Sequence, residues 1–493
     1  MNLPLRIPLL LSALALALPM SAQAERVLGQ LHFQPCTLAA DFGAQSLDGQ
    51  CTRMSVPENR ALPNGRKISL AIAWLPAKGD AEADPVFLIA GGPGQSALES
   101  FPMLAAELTD VRKKRNLILV DQRGTGGSNK LACPDTQGDD AFSKGDLRDM
   151  DKIKAYAQRC AQSLAAHADL RFYSTSDGIA DLDAVRAAIG ADKINLYGVS
   201  YGTRVAQQYA KRYPQHTRTV TLDGVVPNSL VLGNEFAKNL ESSLDRQFAL
   251  CTAEKACGDK LGNPRQRLND LLALVDKTPP TVRYRDAVTG ESREEKLTRD
   301  RIAMLARMFA YAPTVAGVLP LELFEAAQGR YEPIMALSNL LSSTLGESIT
   351  SGMELSVVCT EDGSEQRVDP SDSGSLLGTD ITNAIQAQCS VWPHGQRPAD
   401  FRQPLTGSVP VLLMSGEFDP VTPPRYGDEV LASLSNARHL VVRGQGHNVL
   451  PVGCLPKLFA SFVDTADAKS LDAKCLDTVP YAVPFTGFYG WEP

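Results

Sequence analysis

A chain of 493 residues is long for one hydrophobic core, so one large domain with an insertion, or two domains, is expected. Its 44% hydrophobic and 21% charged residues are an ordinary globular balance, and a formal charge of -7 with no basic stripe interleaved with aromatics argues against nucleic acid as a partner. Past the first two dozen residues no apolar run approaches membrane length, which argues against stable membrane insertion.

The chain opens with Arg6, an apolar run from Ile7 to Leu18, and then Ala22-Gln23-Ala24. That order is a secretory signal, residues 1–24, expected to be cut after Ala24 so that the exported chain starts at Glu25. The run is too short for a retained transmembrane helix, and no cysteine stands at the cut to take a lipid. Ten cysteines suit the oxidising space of a periplasm or the cell exterior. Pairing between near neighbours is expected, because short loops lose least entropy on closing: Cys36 with Cys51, Cys133 with Cys160, Cys251 with Cys257, Cys359 with Cys389, and Cys454 with Cys475. A metal cluster is the rival reading, but there is no C-x-x-C pair and the six histidines are scattered.

After a cysteine-bearing N-terminal segment, strand and helix alternate. Ile68 to Leu75 reads as a strand. Val86 to Ala90 and Asn116 to Val120 read as buried strands feeding Gly91-Gly92-Pro93-Gly94 and Asp121-Gln122-Arg123-Gly124. A helix is expected from Ser176 to Ile189, stopped by Gly190, then a strand from Lys193 to Tyr197. Gly198-Val199-Ser200-Tyr201-Gly202 turns that strand into a helix reaching Tyr213, and Thr217 to Leu222 is the next strand. This alternation implies an α/β protein with a mainly parallel, doubly covered sheet.

From Pro227 the strand rhythm lapses, and Glu235–Leu250, Arg265–Val275 and Asp300–Tyr311 read as helices. Residues 227–405 are therefore expected to form a mostly helical insertion between a first core part, 25–226, and a last one, 406–493. In the last part, strands at Val409–Met414 and His439–Val442 lead to Asp419 and His447, with helices from Arg425 and over Leu455–Val463.

Gly198-Val199-Ser200-Tyr201-Gly202 fits G-x-S-x-G between strand and helix, where the flanking glycines let the two backbones approach around an exposed serine. A serine hydroxyl needs a base, and the base needs a carboxylate to hold its tautomer. Asp419 and His447 each lie just past a late strand, and the carboxyl ends of parallel strands share one edge. Ser200, Asp419 and His447 are therefore the expected catalytic triad, with Glu417 the rival carboxylate and His439 a structural residue. The oxyanion formed on attack needs preorganised donors: the N–H of Tyr201 and one from the early glycine loop, Gly92 first and Gly91 as alternative. No metal or organic cofactor is required.

Together with Gly91-Gly92-Pro93-Gly94, Asp121-Gln122-Arg123-Gly124-Thr125-Gly126-Gly127-Ser128 and Gly198-Val199-Ser200-Tyr201-Gly202-Thr203, these residues give a chain that resembles the proline iminopeptidase and tripeptidyl aminopeptidase group of secreted α/β-hydrolases. Ala90 stands where proline iminopeptidases commonly have histidine, and Tyr201 where they usually have tryptophan, which leans towards the tripeptidyl branch. The resemblance implies an α/β-hydrolase fold whose insertion caps the site, and a serine peptidase that releases short units, tripeptides or single residues, from the free N-terminus of peptide substrates. Such an enzyme must hold an ammonium, and Glu361 and Asp362 are the candidates. In Asp121 and Arg123 it implies braces beneath the site. The same triad also cleaves esters, so a carboxylesterase or lipase is the alternative. A non-catalytic hydrolase-fold binding protein is the third reading, and it predicts a broken triad.

Overall fold

The computed structural model describes residues 25–40, 45–133, 149–345 and 349–490. The expected signal segment, 1–24, lies outside them. The first eight strands are β1 (Arg26–Leu28), β2 (Leu31–Ala39), β3 (Ser46–Pro57), β4 (Lys67–Leu75), β5 (Val86–Ile89), β6 (Leu117–Val120), β7 (Ile194–Val199) and β8 (Thr217–Asp223). Two more, β9 (Thr281–Arg285) and β10 (Ser292–Lys296), pair only with each other, and β11 (Val411–Gly416) and β12 (Ala437–Val442) complete the set.

The main sheet runs β1-β2-β3-β4-β6-β5-β7-β8-β11-β12. Every pairing from β6 through β5, β7, β8 and β11 to β12 is parallel, and those from β1 to β6 through β4 are antiparallel. The central strands β5, Val-Phe-Leu-Ile, and β6, Leu-Ile-Leu-Val, are buried along their whole length, as strands covered on both faces must be. Alternate residues feed opposite cores: Phe87 and Ile89 join one apolar cluster with Val205 and Val220, while Val86 and Leu88 join the other with Met414 and Phe459.

The antiparallel strands β1 to β3 carry little sequence signal. β2 is mostly exposed or half-buried, and only Phe33 and Leu38 are fully inside. The Cys36–Cys51 bridge joins β2 to β3, and the other four bridges also form as the spacing suggested.

The crossover helix Thr175–Ala188 begins with a capping box, in which Ser174 and Asp177 each satisfy the other's backbone N–H. Between β8 and β11 the chain forms helices Phe236–Ala253, Lys255–Leu261, Pro264–Lys277, Arg299–Ala310, Leu319–Ala327 and Glu332–Leu345, with the β9–β10 hairpin among them. Their apolar faces, including Leu244, Phe248, Leu268, Phe309 and Leu323, form a separate cluster. The later part of the expected insertion behaves differently. Helix Ser351–Glu361 and Trp392 bury Met353, Val357 and Val358 in the sheet's own cluster, tied by the Cys359–Cys389 bridge.

Candidate active site

Three loops meet at the carboxyl edge of the parallel strands. β7 ends in Val199, and Ser200 stands at φ 54° and ψ -123° before the helix Tyr201–Arg212. A left-handed φ on a non-glycine residue costs roughly 1–3 kcal/mol, so the surrounding backbone has to enforce it. It does so through close packing. A Cβ on Gly198 would lie 2.3 Å from Gly202 O, and one on Gly202 would lie 2.4 Å from Ile89 O, so both positions exclude any side chain. The Ser200 N–H donates to Asp223 O at 2.8 Å, which pins the turn to the end of β8.

The early glycine loop lies against this turn. A Cβ on Gly91 would touch Ser200 Cβ and Val199 O, each at 3.0 Å, and Gly92 follows with φ 103°. The expected oxyanion donors thus belong to adjoining segments, Gly92 in the loop beside Ser200 and Tyr201 at the first turn of the helix. The Tyr201 hydroxyl bonds Thr175 Oγ1 at 2.6 Å, which gives a physical reason for a tyrosine there.

Asp419, fully buried, is 2.7 Å from His447 Nδ1 through Oδ2. Its Oδ1 accepts the N–H groups of Val421 and Thr422 at 2.8 and 2.7 Å, and the Thr422 hydroxyl donates to Oδ2 at 2.9 Å. Burial alone would push its carboxyl up, but the neighbouring His447 and these donors hold it below the usual carboxylate value. Burial likewise works against an imidazolium at His447, yet the Asp419 charge and hydrogen bond, helped by Asp223 and opposed by Arg307, raise it above the ordinary histidine value. This is the electrostatic arrangement of a base that can hold a proton in passing.

Ser200 and His447 flank Asp223–Gly224. A Cβ on Gly224 would lie 2.9 Å from His447 Cε1. The His447 N–H donates to Tyr311 O at 2.9 Å, and the two rings meet edge to face with centroids 5.2 Å apart. The helical insertion therefore reaches the histidine directly, a contact with no sequence signal. Glu417 is engaged elsewhere: its Oε2 accepts the Gly444 N–H at 2.8 Å. His439 on β12 bridges Ser415 on β11 and Asp428 on the helix Pro424–Leu431, at 2.9 Å to each.

Asp121 and Arg123 sit beneath these loops as braces. Asp121 accepts from Ser96 Oγ, Leu98 N and Gly127 N, at 2.6, 3.1 and 2.8 Å, joining the segment after the glycine loop to the one after β6. Arg123 pairs bidentately with Asp181 at 2.7 Å and donates to the carbonyls of Glu58 and Phe172.

Glu361 and Asp362 take an unexpected place. These two candidates for holding a substrate ammonium are both buried around Arg204, which lies on the helix Tyr201–Arg212. Asp362 pairs with Arg204 at 3.0 Å and with Arg402 at 2.6 Å, while Glu361 accepts the Thr175 N–H at 2.7 Å and stands 3.8 Å from Arg204. The charge of Asp362 is thus met from within the protein. Burial pushes the Glu361 carboxyl up to about 7 against the pull of Arg204.

Residues 84–453 match the family model described as alpha/beta hydrolase fold. The chain belongs to that family. It is similar to serine protease Hip1 of Mycobacterium tuberculosis, 25% identical over 488 residues that cover 92% of each chain. The tripeptidyl aminopeptidase of Streptomyces lividans is 33% identical over 192 residues, 36% of this chain and 35% of that one. Carboxylesterase B of Mycobacterium tuberculosis is 28% identical over 265 residues, 49% of this chain and 50% of that one. The motif-based resemblance to serine exopeptidases of the α/β-hydrolase type is borne out, and the chain is a serine hydrolase of that type. No helix among the described residues is long and apolar enough to cross a membrane, and five disulfides fit an oxidising compartment.

Proposed function

We propose that this α/β-hydrolase is an exported serine aminopeptidase that releases short peptides from the free N-terminus of its substrates, with Ser200, Asp419 and His447 as the triad. The observation that carries the reading is the convergence of a strained Ser200 with the buried Asp419–His447 pair on one sheet edge. His447 takes the Ser200 hydroxyl proton as the oxygen attacks the scissile carbonyl, and the N–H groups of Gly92 and Tyr201 receive the oxyanion. Asp419 holds the imidazolium. The proton then passes to the leaving amine, and water, activated by the same histidine, frees the acyl group.

Two of the relatives are named as peptidases, one of them a tripeptidyl aminopeptidase, and this supports peptides over esters. The signal segment and the five disulfides support export. The insertion, 227–405, is read as a cap that limits how much peptide enters. Within it Glu361, with an Oε2 lacking a hydrogen-bond partner, remains the better of the two candidates for the substrate ammonium. Asp362, neutralised by two arginines, serves the fold.

The test is chromophore release from free-amine and N-blocked aminoacyl and tripeptidyl amides, beside Ser200→Ala. Free-amine tripeptide turnover that vanishes in the variant is expected. Turnover of short acyl esters alone would favour the carboxylesterase reading, which the similarity to carboxylesterase B supports. Silence on both substrate types would revive a binding role.

A further inference from the structure

β8 ends in a carboxylate that the triad does not use. Asp223 is fully buried, in a place where an unpaired charge could not persist. Its Oδ1 accepts the Val449 N–H at 2.8 Å, and its Oδ2 accepts the Leu450 N–H at 3.0 Å and the Tyr197 hydroxyl at 3.0 Å. Its backbone carbonyl is the acceptor for the Ser200 N–H. The residue therefore touches three pieces of chain at once. Tyr197 lies on β7, three positions before the serine, Ser200 is the turn itself, and Val449 and Leu450 follow His447 after Asn448, whose φ is 65°.

Two consecutive N–H groups aimed at one carboxylate fix two peptide planes. They are the planes joining Asn448 to Val449 and Val449 to Leu450, the first of which begins at the residue after the histidine. On its other sides His447 is held by Asp419 through Nδ1 and by Tyr311 O through its own N–H. Neither of these contacts refers the histidine to the strand that carries the serine. Asp223 does, and a carboxylate is needed for it: both oxygens face donors, so an amide in its place would turn an NH2 towards at least one N–H.

We propose that Asp223 is a positioning residue of the reaction, locking the backbone beyond His447 to the strands that hold Ser200 and so setting the reach between serine and imidazole. The proposal rests on the triad reading given above. Asp223 also contributes to the electrostatics of the imidazole. The charged groups that act on His447 are Asp419 and Asp223, which favour the imidazolium, and Arg307, which opposes it. Removing the Asp223 charge lowers the pH at which His447 gives up its proton.

The experiment is the rate of Ser200 labelling by a fluorophosphonate, followed by intact mass across a pH series. In that step the serine oxygen bonds phosphorus, fluoride leaves, and the hydroxyl proton goes to His447. In Asp223→Asn labelling is expected to slow on the order of 100-fold, since a displacement near 1 Å between reacting groups has that effect. The acid limb of its rate profile is expected at lower pH than in the wild type, a shift that mere loosening of the fold would not give.

Labelling of Asp223→Asn at the wild-type rate with an unmoved acid limb overturns the proposal while leaving the triad standing. Wild-type protein that takes no label at Ser200 overturns the triad reading and the proposal with it. Should Asp223→Asn fail to fold, Tyr197→Phe carries the test, because it removes one donor and leaves both backbone bonds. About three- to tenfold slower labelling is then expected, and the wild-type rate refutes the positioning role.

Discussion

Replacing Gly416 by alanine probes how closely the two late loops are joined. Gly416 closes β11 three residues before Asp419, and a Cβ there would lie 1.9 Å from Gly446 O and 2.4 Å from Gln445 O. Real Cβ atoms essentially never come within 3.0 Å of such atoms, and both obstacles are backbone, with no flexible end to swing aside. The loop bearing His447 must therefore retreat by about 1 Å. It has little room to do so, because Gly446 is backed by Tyr311 O, 2.1 Å from where its own Cβ would be. A 1 Å error between base and nucleophile lowers kcat on the order of 100-fold, equivalent to about 2.7 kcal/mol of barrier. The assay is hydrolysis of a tripeptidyl chromogenic amide beside fluorophosphonate labelling. Gly374→Ala serves as control, since its Cβ would enter open space. A folded Gly416→Ala protein within about threefold of the wild-type rate would refute the reasoning, because it would mean the histidine loop accommodates the methyl without losing register.

Asp419→Asn is expected to lower kcat by about 10⁴-fold through loss of the productive tautomer, and to move the acid limb of the pH–rate profile down, because the charge that raises His447 is gone; stopped assays from pH 5 to 9 read both. Arg204→Met leaves Asp362 and Glu361 buried without their central cation and should destabilise the fold by about 3 kcal/mol in urea unfolding, whereas no change would mean the cluster is solvated. Glu361 holds its proton up to about 7 in the folded chain against an ordinary 4.5, so the folded state binds that proton more tightly and stability falls as pH rises between those values. Over that window the group removes about 3 kcal/mol, and Glu361→Gln, which cannot ionise, should flatten the pH dependence of thermal unfolding by that amount.

Much of this site could be read before folding, for reasons that differ by residue. Ser200 was legible because its strained turn demands glycines at 198 and 202. Asp419 and His447 were legible because they follow short apolar strands whose carboxyl ends must share an edge. The disulfide partners followed from loop entropy alone. By contrast, β1 to β3 escaped notice because an edge sheet with few inward residues shows no strong alternation. β9 and β10 did so because their outward faces are charged and their one inward face is short. Glu361 and Asp362 were read as candidates for a substrate ammonium, with no hint that they face a buried cation, because nothing local announces Arg204, which comes from a helix more than 150 positions earlier and meets Asp362 at 3.0 Å. Asp223 drew no notice as part of the site for the same reason, since its donors at 449 and 450 are 226 and 227 residues away. Partners that a strand pattern delivers to a shared edge can be read from sequence, whereas those met only through a distant helix or loop cannot.

The bond from the His447 N–H to Tyr311 O also bears on when the enzyme first becomes competent. As the chain emerges, the nucleophile turn arrives early, but the histidine comes last and finds its backbone acceptor only on an insertion that must already be folded. A nascent or incompletely folded chain thus carries a serine without a base. On the proposed reading of an exported peptidase, which would cross a membrane among other unfolded polypeptides, this order of assembly delays proteolysis until the molecule is finished.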